Sequence, residues 1–175
     1  MAAGMETGSA IDVLIAGGGY VGLCTALALK QGAPSLAIAV VDPAPAGAGS
    51  RDGRASAIAA AAKRMLETLG IWQQIEATSQ PITEMIVTDS RLRDAVRPIF
   101  LTFSGSVENG EPFAHMVPNG ALVGALSEAC RIAGVELISG DSVADFTTRA
   151  ASVEAKLASG GTITARLLVA ADGAK

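Results

Sequence analysis

The sequence predicts an α/β protein built on a mostly parallel sheet, and the prediction depends on two apolar runs and the turn between them. Five of the six residues 11–16 are apolar, which is typical of a short buried strand, and residues 36–41 form a second apolar run. Between them, Gly17, Gly19 and Gly22 lead into a segment with helical spacing. A strand, a glycine turn, a helix and a second strand make a β-α-β unit, whose two strands run parallel.

The three glycines have the G-x-G-x-x-G spacing that is typical of a turn that binds a dinucleotide. We expect Gly17 to form the tight turn, Gly19 to let backbone N–H groups approach a pyrophosphate, and Gly22 to let the helix pack closely on the strand. The positive end of the helix dipole would then face the phosphates. A plain glycine-rich turn between two core elements is the alternative, and the strand-turn-helix context favours a Rossmann-like nucleotide site.

The second apolar run ends at Asp42, twenty residues after Gly22. A carboxylate there can accept hydrogen bonds from both hydroxyls of an adenosine ribose, and it would repel a 2′-phosphate. The sequence therefore predicts FAD or NAD at this site rather than NADP. The structural alternative is a turn residue in the Asp42-Pro43 pair, which is a common turn signal.

The middle of the chain changes character twice. Residues 44–53 have the composition of a loop, and the spacing of residues 55–69 predicts a helix, followed by a short helical turn at 71–76 around a core residue, Trp72. Two alternating segments, 81–90 and 96–103, then indicate antiparallel strands of a second, inserted sheet. We therefore expect a flexible leader at 1–10, a nucleotide-binding domain at 11–80 and 113–175, and the start of the inserted sheet at 81–112.

The last third of the chain returns to the first sheet. Asn119 can cap a helix over residues 119–133, and a strand follows at 135–138. Alternating segments at 142–148, 152–158 and 162–166 predict an antiparallel β-meander, and residues 166–171 predict a buried parallel strand that ends at Asp172-Gly173.

Composition excludes several classes of function. The net charge is −4 and no basic run is present, so we expect no nucleic-acid partner. Cys24 and Cys130 lie in helical patterns without metal-type spacing, which favours reduced thiols in a cytoplasmic protein. His115 is the only histidine, and a structural role is expected for it. We therefore expect neither a catalytic triad nor a metal site.

The order of these motifs over residues 11–175 resembles the group A flavoprotein aromatic hydroxylases. Within them, the sequence is similar to the ubiquinone-biosynthesis branch, which the 2-octaprenyl-6-methoxyphenol hydroxylases typify. Three stretches carry the closer similarity: Asp52-Gly-Arg-Ala-Ser-Ala-Ile58, Leu69-Gly-Ile-Trp72 and Leu167-Leu-Val-Ala-Ala-Asp-Gly173.

The resemblance implies a role for each matching residue. Gly17, Gly19 and Gly22 would hold the FAD pyrophosphate, Asp42 would bind the adenosine ribose, and Arg54 would lie near the FAD phosphates and flavin. A guanidinium can bind phosphate oxygens at two points, which lysine cannot do.

Four further residues match the family pattern. Asn119 stands where many relatives have an arginine beside the FAD, and its capping and cofactor roles are equally open. The backbone of Val143 would contact the adenine. Asp172 and Gly173 match a motif associated with both FAD and NAD(P)H.

The implied activity is a monooxygenase reaction. NAD(P)H would reduce FAD, and one oxygen atom of O2 would then be transferred to a phenolic substrate. The alternatives are an FAD-dependent halogenase or polyprenyl reductase, a nicotinamide dehydrogenase, or a non-catalytic nucleotide-binding module. A polyprenyl substrate would imply peripheral association of the full-length protein with the inner membrane.

The family pattern continues past Lys175 with a second flavin motif and most of the substrate-covering sheet. We therefore expect this chain to be an N-terminal fragment in which the family fold is truncated. Such a fragment would be inactive alone and would hold FAD weakly or not at all. The strands at 81–103 would then present open edges, which favours self-association.

Overall fold

The computed structural model describes residues 11–91, 93–104, 107 and 110–173 of the chain. The predicted leader, residues 1–10, lies outside the described residues. The chain divides into two compact units, Met1–Gly53 with Asn119–Lys175 and Arg54–Pro118. The predicted assignment of residues 11–80 and 113–175 to a nucleotide-binding domain, and of residues 81–112 to the start of a substrate sheet, stays a prediction.

The described residues form the strands β1 (Ile11–Ala16), β2 (Ile38–Asp42), β3 (Ala55–Ala59), β4 (Gln80–Ile82), β5 (Glu84–Thr88), β6 (Ile99–Ser104), β7 (Ala114–Pro118), β8 (Glu136–Ser139), β9 (Val143–Thr148), β10 (Val153–Leu157) and β11 (Thr162–Ala170). The α-helices are α1 (Tyr20–Gly32), α2 (Ala60–Thr68), α3 (Trp72–Ile75) and α4 (Asn119–Ile132). Short 3-10 turns occupy Gly49–Arg51 and Glu76–Thr78.

The first unit contains a mixed sheet with the strand order β8-β2-β1-β11-β10-β9. The first four of these strands run parallel, and β10 and β9 are antiparallel to their neighbours. In β1 the four residues 13–16, and in β2 the four residues 38–41, are consecutive, apolar and buried, as expected of strands that are covered on both faces. This architecture confirms the predicted α/β fold class with a parallel sheet and a β-meander.

Strand β11 joins the meander to the parallel sheet. Its first residues, Thr162–Ala165, pair antiparallel with β10, and Ala165–Ala170 pair parallel with β1. The segments 162–166 and 166–171, predicted as two strands, are therefore one continuous strand. The reason is that Ala165 has a partner on both sides, so no turn is needed between the two pairings.

Helices α1 and α4 pack against each other on the same unit. Cys130 is fully buried there, and its Sγ donates to the carbonyl of Leu23 at 3.4 Å. Both Cys24 and Cys130 are free thiols, and burial raises the pKa of each to about 11. Within the described ranges, no helix is long and apolar enough to span a bilayer.

The second unit contains the three-stranded sheet β3-β7-β4 and the separate hairpin β5-β6. Residues 55–69 were predicted as one helix, and this prediction is wrong for Ala55–Ala59, which form β3. The run is rich in alanine, which favours a helix locally, but antiparallel pairing with β7 over its whole length makes it a strand. The predicted antiparallel strands of this region are present as β5 and β6.

Trp72 and His115 form an aromatic contact inside the second unit. Their rings meet edge to face with centroids 5.0 Å apart, and the side chains are 2% and 9% exposed. The amine of Lys63 lies 5.1 Å from the centre of the Trp72 ring and also pairs with Glu67 and Glu111. Trp72 is thus the core residue that the sequence predicts, and His115 is buried against it.

The hairpin β5-β6 has one wholly apolar face, which we call the hairpin face. Its members are opposed in two cross-strand pairs, Met85 with Phe103 and Val87 with Leu101. These side chains are between 37% and 50% exposed. The hairpin is therefore a two-stranded ribbon whose apolar face is open to solvent.

Candidate functional site

Two glycines bring the end of β1, the start of α1 and the end of β11 into close contact. Gly17 has a φ of 111°, and a Cβ at this position would lie 2.3 Å from the carbonyl oxygen of Ala171. A Cβ at Gly22 would lie 2.0 Å from the carbonyl oxygen of Gly17. Both positions therefore require glycine. Gly17 requires it for its backbone conformation and for lack of space, and Gly22 for lack of space alone.

Gly19 differs from its neighbours because it is open. It is exposed, and a Cβ there would meet no atom within 4 Å. It is also the N-cap of α1 and has no side chain to satisfy the first N–H groups of the helix. A ligand can therefore reach these backbone donors, at a helix end that favours negative charge.

The carboxylate of Asp42 is held at the glycine turn. It accepts hydrogen bonds from the backbone N–H groups of Gly18 at 2.6 Å and of Ala44 at 2.9 Å. These two bonds orient the side chain at the carboxyl end of β2. An ionised carboxylate has about four acceptor sites, so Asp42 keeps capacity for ligand hydroxyls.

The link between β8 and β9 is attached to the same strand end. The backbone N–H groups of Gly140 and Asp141 donate to the carbonyl of Asp42 at 2.9 and 3.2 Å. Val143, two residues further on, begins β9 and packs against the core of the sheet. Val143 therefore lies two residues after the backbone contact between Asp141 and Asp42.

Asp141 connects this link to the β10-β11 turn. Its carboxylate accepts the hydroxyl of Ser159 at 2.5 Å and the N–H groups of Ser142 and Ser159. The hydrogen bond from the Ser159 hydroxyl, followed by the backbone donors, lowers the pKa of Asp141. These bonds hold the β8-β9 link in place beside the glycine turn.

A cavity of about 300 Å³ adjoins Asp42 on the α4 side of the sheet. It lies between the ends of β2 and β8, the loop after β2, and α4, and its polar lining consists of Asp42, Ser127, Glu128, Arg131 and Ser139. A larger cavity of about 840 Å³ runs along β11 and the β9-β10 turn, but none of the predicted site residues lines it.

The Asp172-Gly173 pair lies one residue beyond the end of β11. A Cβ on Gly17 would also lie 2.7 Å from the backbone nitrogen of Asp172, so the two turns touch. Asp172 is exposed, and Gly173 has a φ of 81°. The predicted pair therefore belongs to the same sheet edge as the glycine motif.

Asn119 lies at the start of α4 and has a partner that sequence reasoning missed. Its side chain is 7% exposed, and Nδ2 donates to Oδ2 of Asp52 at 3.2 Å. Asp52 is part of the quoted Asp-Gly-Arg motif, but no local pattern could connect it to a residue so distant in sequence. Asn119 is the first residue of the helix.

Arg54 is exposed and immediately precedes β3 in the second unit. Its assignment to the cofactor phosphates remains a prediction. In the first unit, the open helix end, the oriented carboxylate of Asp42 and the crowded glycines at 17 and 22 are the features that a bound dinucleotide requires. The residues present therefore fit the ADP half of FAD.

Comparison with known proteins agrees with this geometry. The chain is 38% identical over 177 residues to the ubiquinone hydroxylase UbiL of Rhodospirillum rubrum. The aligned region covers 98% of this chain and 40% of UbiL. The chain thus spans 40% of the length of the curated relatives it matches.

Two solved structures have the same fold at low sequence identity. One is the flavin-dependent monooxygenase PieE in complex with FAD and substrate, with 22% identity and a TM-score of 0.70 over 95% of this chain and 31% of PieE. The other is the anhydrotetracycline hydroxylase OxyS from Streptomyces rimosus, with 21% identity and a TM-score of 0.72 over 94% of this chain and 32% of OxyS.

A family model described as "FAD binding domain" matches residues 10–175. This match confirms both the predicted family resemblance and the predicted FAD cofactor. The chain belongs to the FAD binding domain family.

Proposed function

We propose that this chain binds the ADP half of FAD in a monooxygenase that hydroxylates a phenolic ring. The convergence of the glycine turn, Asp42 and the β8-β9 link at one sheet edge carries the proposal. The similarity to a ubiquinone hydroxylase supports a substrate in ubiquinone biosynthesis, with O2 as co-substrate and NAD(P)H as electron donor.

Each residue acts by binding or orienting. The open backbone at Gly19 admits the pyrophosphate to the start of α1, and Asp42 accepts the ribose hydroxyls while it repels a 2′-phosphate. The cavity beside Asp42 has room for part of the adenosine. When bound, FAD supplies the redox and oxygen-transfer chemistry of the reaction.

The remaining predicted contacts complete the proposed site. The backbone of Val143 would meet the adenine, and Asn119 would contact the cofactor from the start of α4. Arg54 would bind FAD phosphates, and Asp172 with Gly173 would lie beside the pyrophosphate. None of these side chains is proposed as a nucleophile or a base.

The test uses the protein expressed from the complete reading frame that contains these residues. We expect Asp42→Ala to weaken FAD binding at least about tenfold, because a charged hydrogen-bond acceptor is lost. Quenching of flavin fluorescence measures the affinity, and Asp145→Ala on exposed β9 is the matched control. Equal FAD affinity in the wild type and Asp42→Ala would contradict the proposal.

Two further proposals concern partners. The exposed hairpin face supports self-association of the 175-residue chain. A polyprenyl phenol substrate would bring a cytoplasmic full-length enzyme to the inner-membrane surface, which sedimentation with lipid vesicles can test. Recovery of all the protein in the supernatant would contradict the membrane proposal.

A further inference from the structure

We propose that Asp52 is a positioning residue that orients the side-chain amide of Asn119 toward the cofactor. The inference rests on the proposed FAD site and extends it to an acid that the family resemblance left without a role. It depends on one partly buried hydrogen bond and on the way in which the loop around Asp52 is held.

The chemistry of the pair determines the direction of the amide. Asn119 is buried at the start of α4, and its Nδ2 donates to Oδ2 of Asp52 at 3.2 Å. A carboxylate can only accept hydrogen bonds, so the amide nitrogen must face Asp52 and the amide oxygen must face another way. Removal of the carboxylate takes away the acceptor that sets this direction.

The backbone at Asp52 is held by contacts that do not involve its side chain. Its N–H donates to the carbonyl of Gly49 at 3.2 Å at the end of the 3-10 turn. Gly49 itself lies against α4, where an added Cβ would be 2.5 Å from Cγ1 of Val123. The loop therefore has its own attachment to α4, and removal of the Asp52 carboxylate should leave the loop in place.

The topology of the sheet places Asn119 and Asp52 at the edge where the carboxyl ends of the parallel strands lie. Helix α4 leads into β8, which runs parallel to β2 and β1. A helix that precedes a parallel strand begins at the edge where the carboxyl ends of the strands lie. Asn119 and Asp52 therefore share an edge with Gly17 and Asp42, where the orientation of an amide decides whether a donor or an acceptor meets a ligand.

The test is a double-mutant cycle on FAD affinity in the protein from the complete reading frame. We expect Asp52→Ala and Asn119→Ala each to weaken FAD binding roughly tenfold, and the double variant to bind no more weakly than Asn119→Ala. Independent losses, with a roughly hundredfold weaker double variant, would overturn the proposal because Asp52 would then act without Asn119.

A conservative variant separates the hydrogen bond from the charge. Asp52→Asn keeps an acceptor oxygen, so we expect its FAD affinity to stay within roughly threefold of the wild type. An affinity as low as that of Asp52→Ala would overturn the proposal. The thermal midpoints of the wild-type and Asp52→Asn apoproteins should agree, because the buried amide of Asn119 keeps an acceptor.

Two outcomes distinguish the inference from the function on which it rests. If the wild type fails to bind FAD, the proposed function and the inference both fail. If the wild type binds FAD and Asp52→Ala binds it equally well, only the role of Asp52 is overturned.

Discussion

Strands β2 and β5 each contain a run of apolar residues, but the two runs have opposite environments. β2 reads Ile-Ala-Val-Val-Asp and buries its four apolar residues, whereas β5 reads Glu-Met-Ile-Val-Thr and exposes all five residues. β2 lies between β1 and β8, and its side chains enter the core of the first unit. Among the described residues, β5 pairs only with β6. The comparison shows that an apolar run predicts a strand, while the number of neighbouring elements decides its burial.

The largest expected effect on the free energy of unfolding comes from truncating an isoleucine in each of these two strands. Ile38→Ala in β2 should lower the free energy of unfolding by about 3 kcal/mol, because it leaves a cavity in a closed core. Ile86→Ala in β5 should change it by less than about 0.5 kcal/mol, since Ile86 is 52% exposed. Urea unfolding measures both. Equal losses would mean that β5 is buried in solution.

A second test compares two glycines of the nucleotide turn. Gly22→Ala should destabilise the chain by about 2 kcal/mol, because the new Cβ meets the backbone of Gly17. Gly19→Ala should cost less than about 1 kcal/mol, since its position is open and only the N-cap preference for glycine over alanine is lost. Thermal unfolding of the apoprotein measures the difference. A Gly22→Ala variant as stable as Gly19→Ala would contradict the close packing of α1 on the turn.

A third test concerns the hairpin face. Phe103→Asp should weaken self-association of the chain by about tenfold, because a charge would replace one of the four apolar side chains of this face. Phe146→Asp on β9 is the control, as Phe146 is 56% exposed but lies on the first unit. Light scattering against concentration gives the result. A wild-type chain that stays monomeric at every concentration would exclude this use of the face.

The smallest expected effect concerns pH. The backbone N–H of Ala37, and then the side chain of Arg166, lower the pKa of Asp12 from its ordinary value of 3.8. A lowered pKa stabilises the folded state above the unfolded-state value, and this contribution disappears as the pH falls through the folded-state value.

The wild type should therefore be slightly more stable than Asp12→Asn above about pH 4. The difference should shrink at lower pH, and urea titrations between neutral and acidic pH can follow it. Asp145→Asn serves as the control. A difference that grows on acidification would have the wrong sign for a lowered pKa.

Much of the first unit could be predicted from local pattern. The two apolar runs, the glycine spacing and the acid after the second run lie within one short segment, so each signal supports the others. The segment Ala55–Ala59 could not be predicted in this way, because its strand state depends on β7, far along the chain. The contact between Asp52 and Asn119 is equally non-local.

The sequence by itself determined the family, the class of cofactor and the residues of the glycine turn, because these depend on residue type and short spacing. Tertiary structure alone decided that β11 joins the parallel and antiparallel parts of one sheet, that Gly140 and Asp141 attach to the carbonyl of Asp42, and that Asp52 faces Asn119. Contacts of this kind form between segments far apart in the chain. Their formation depends on how the strands pair and how the helices pack, and no local pattern carries that information.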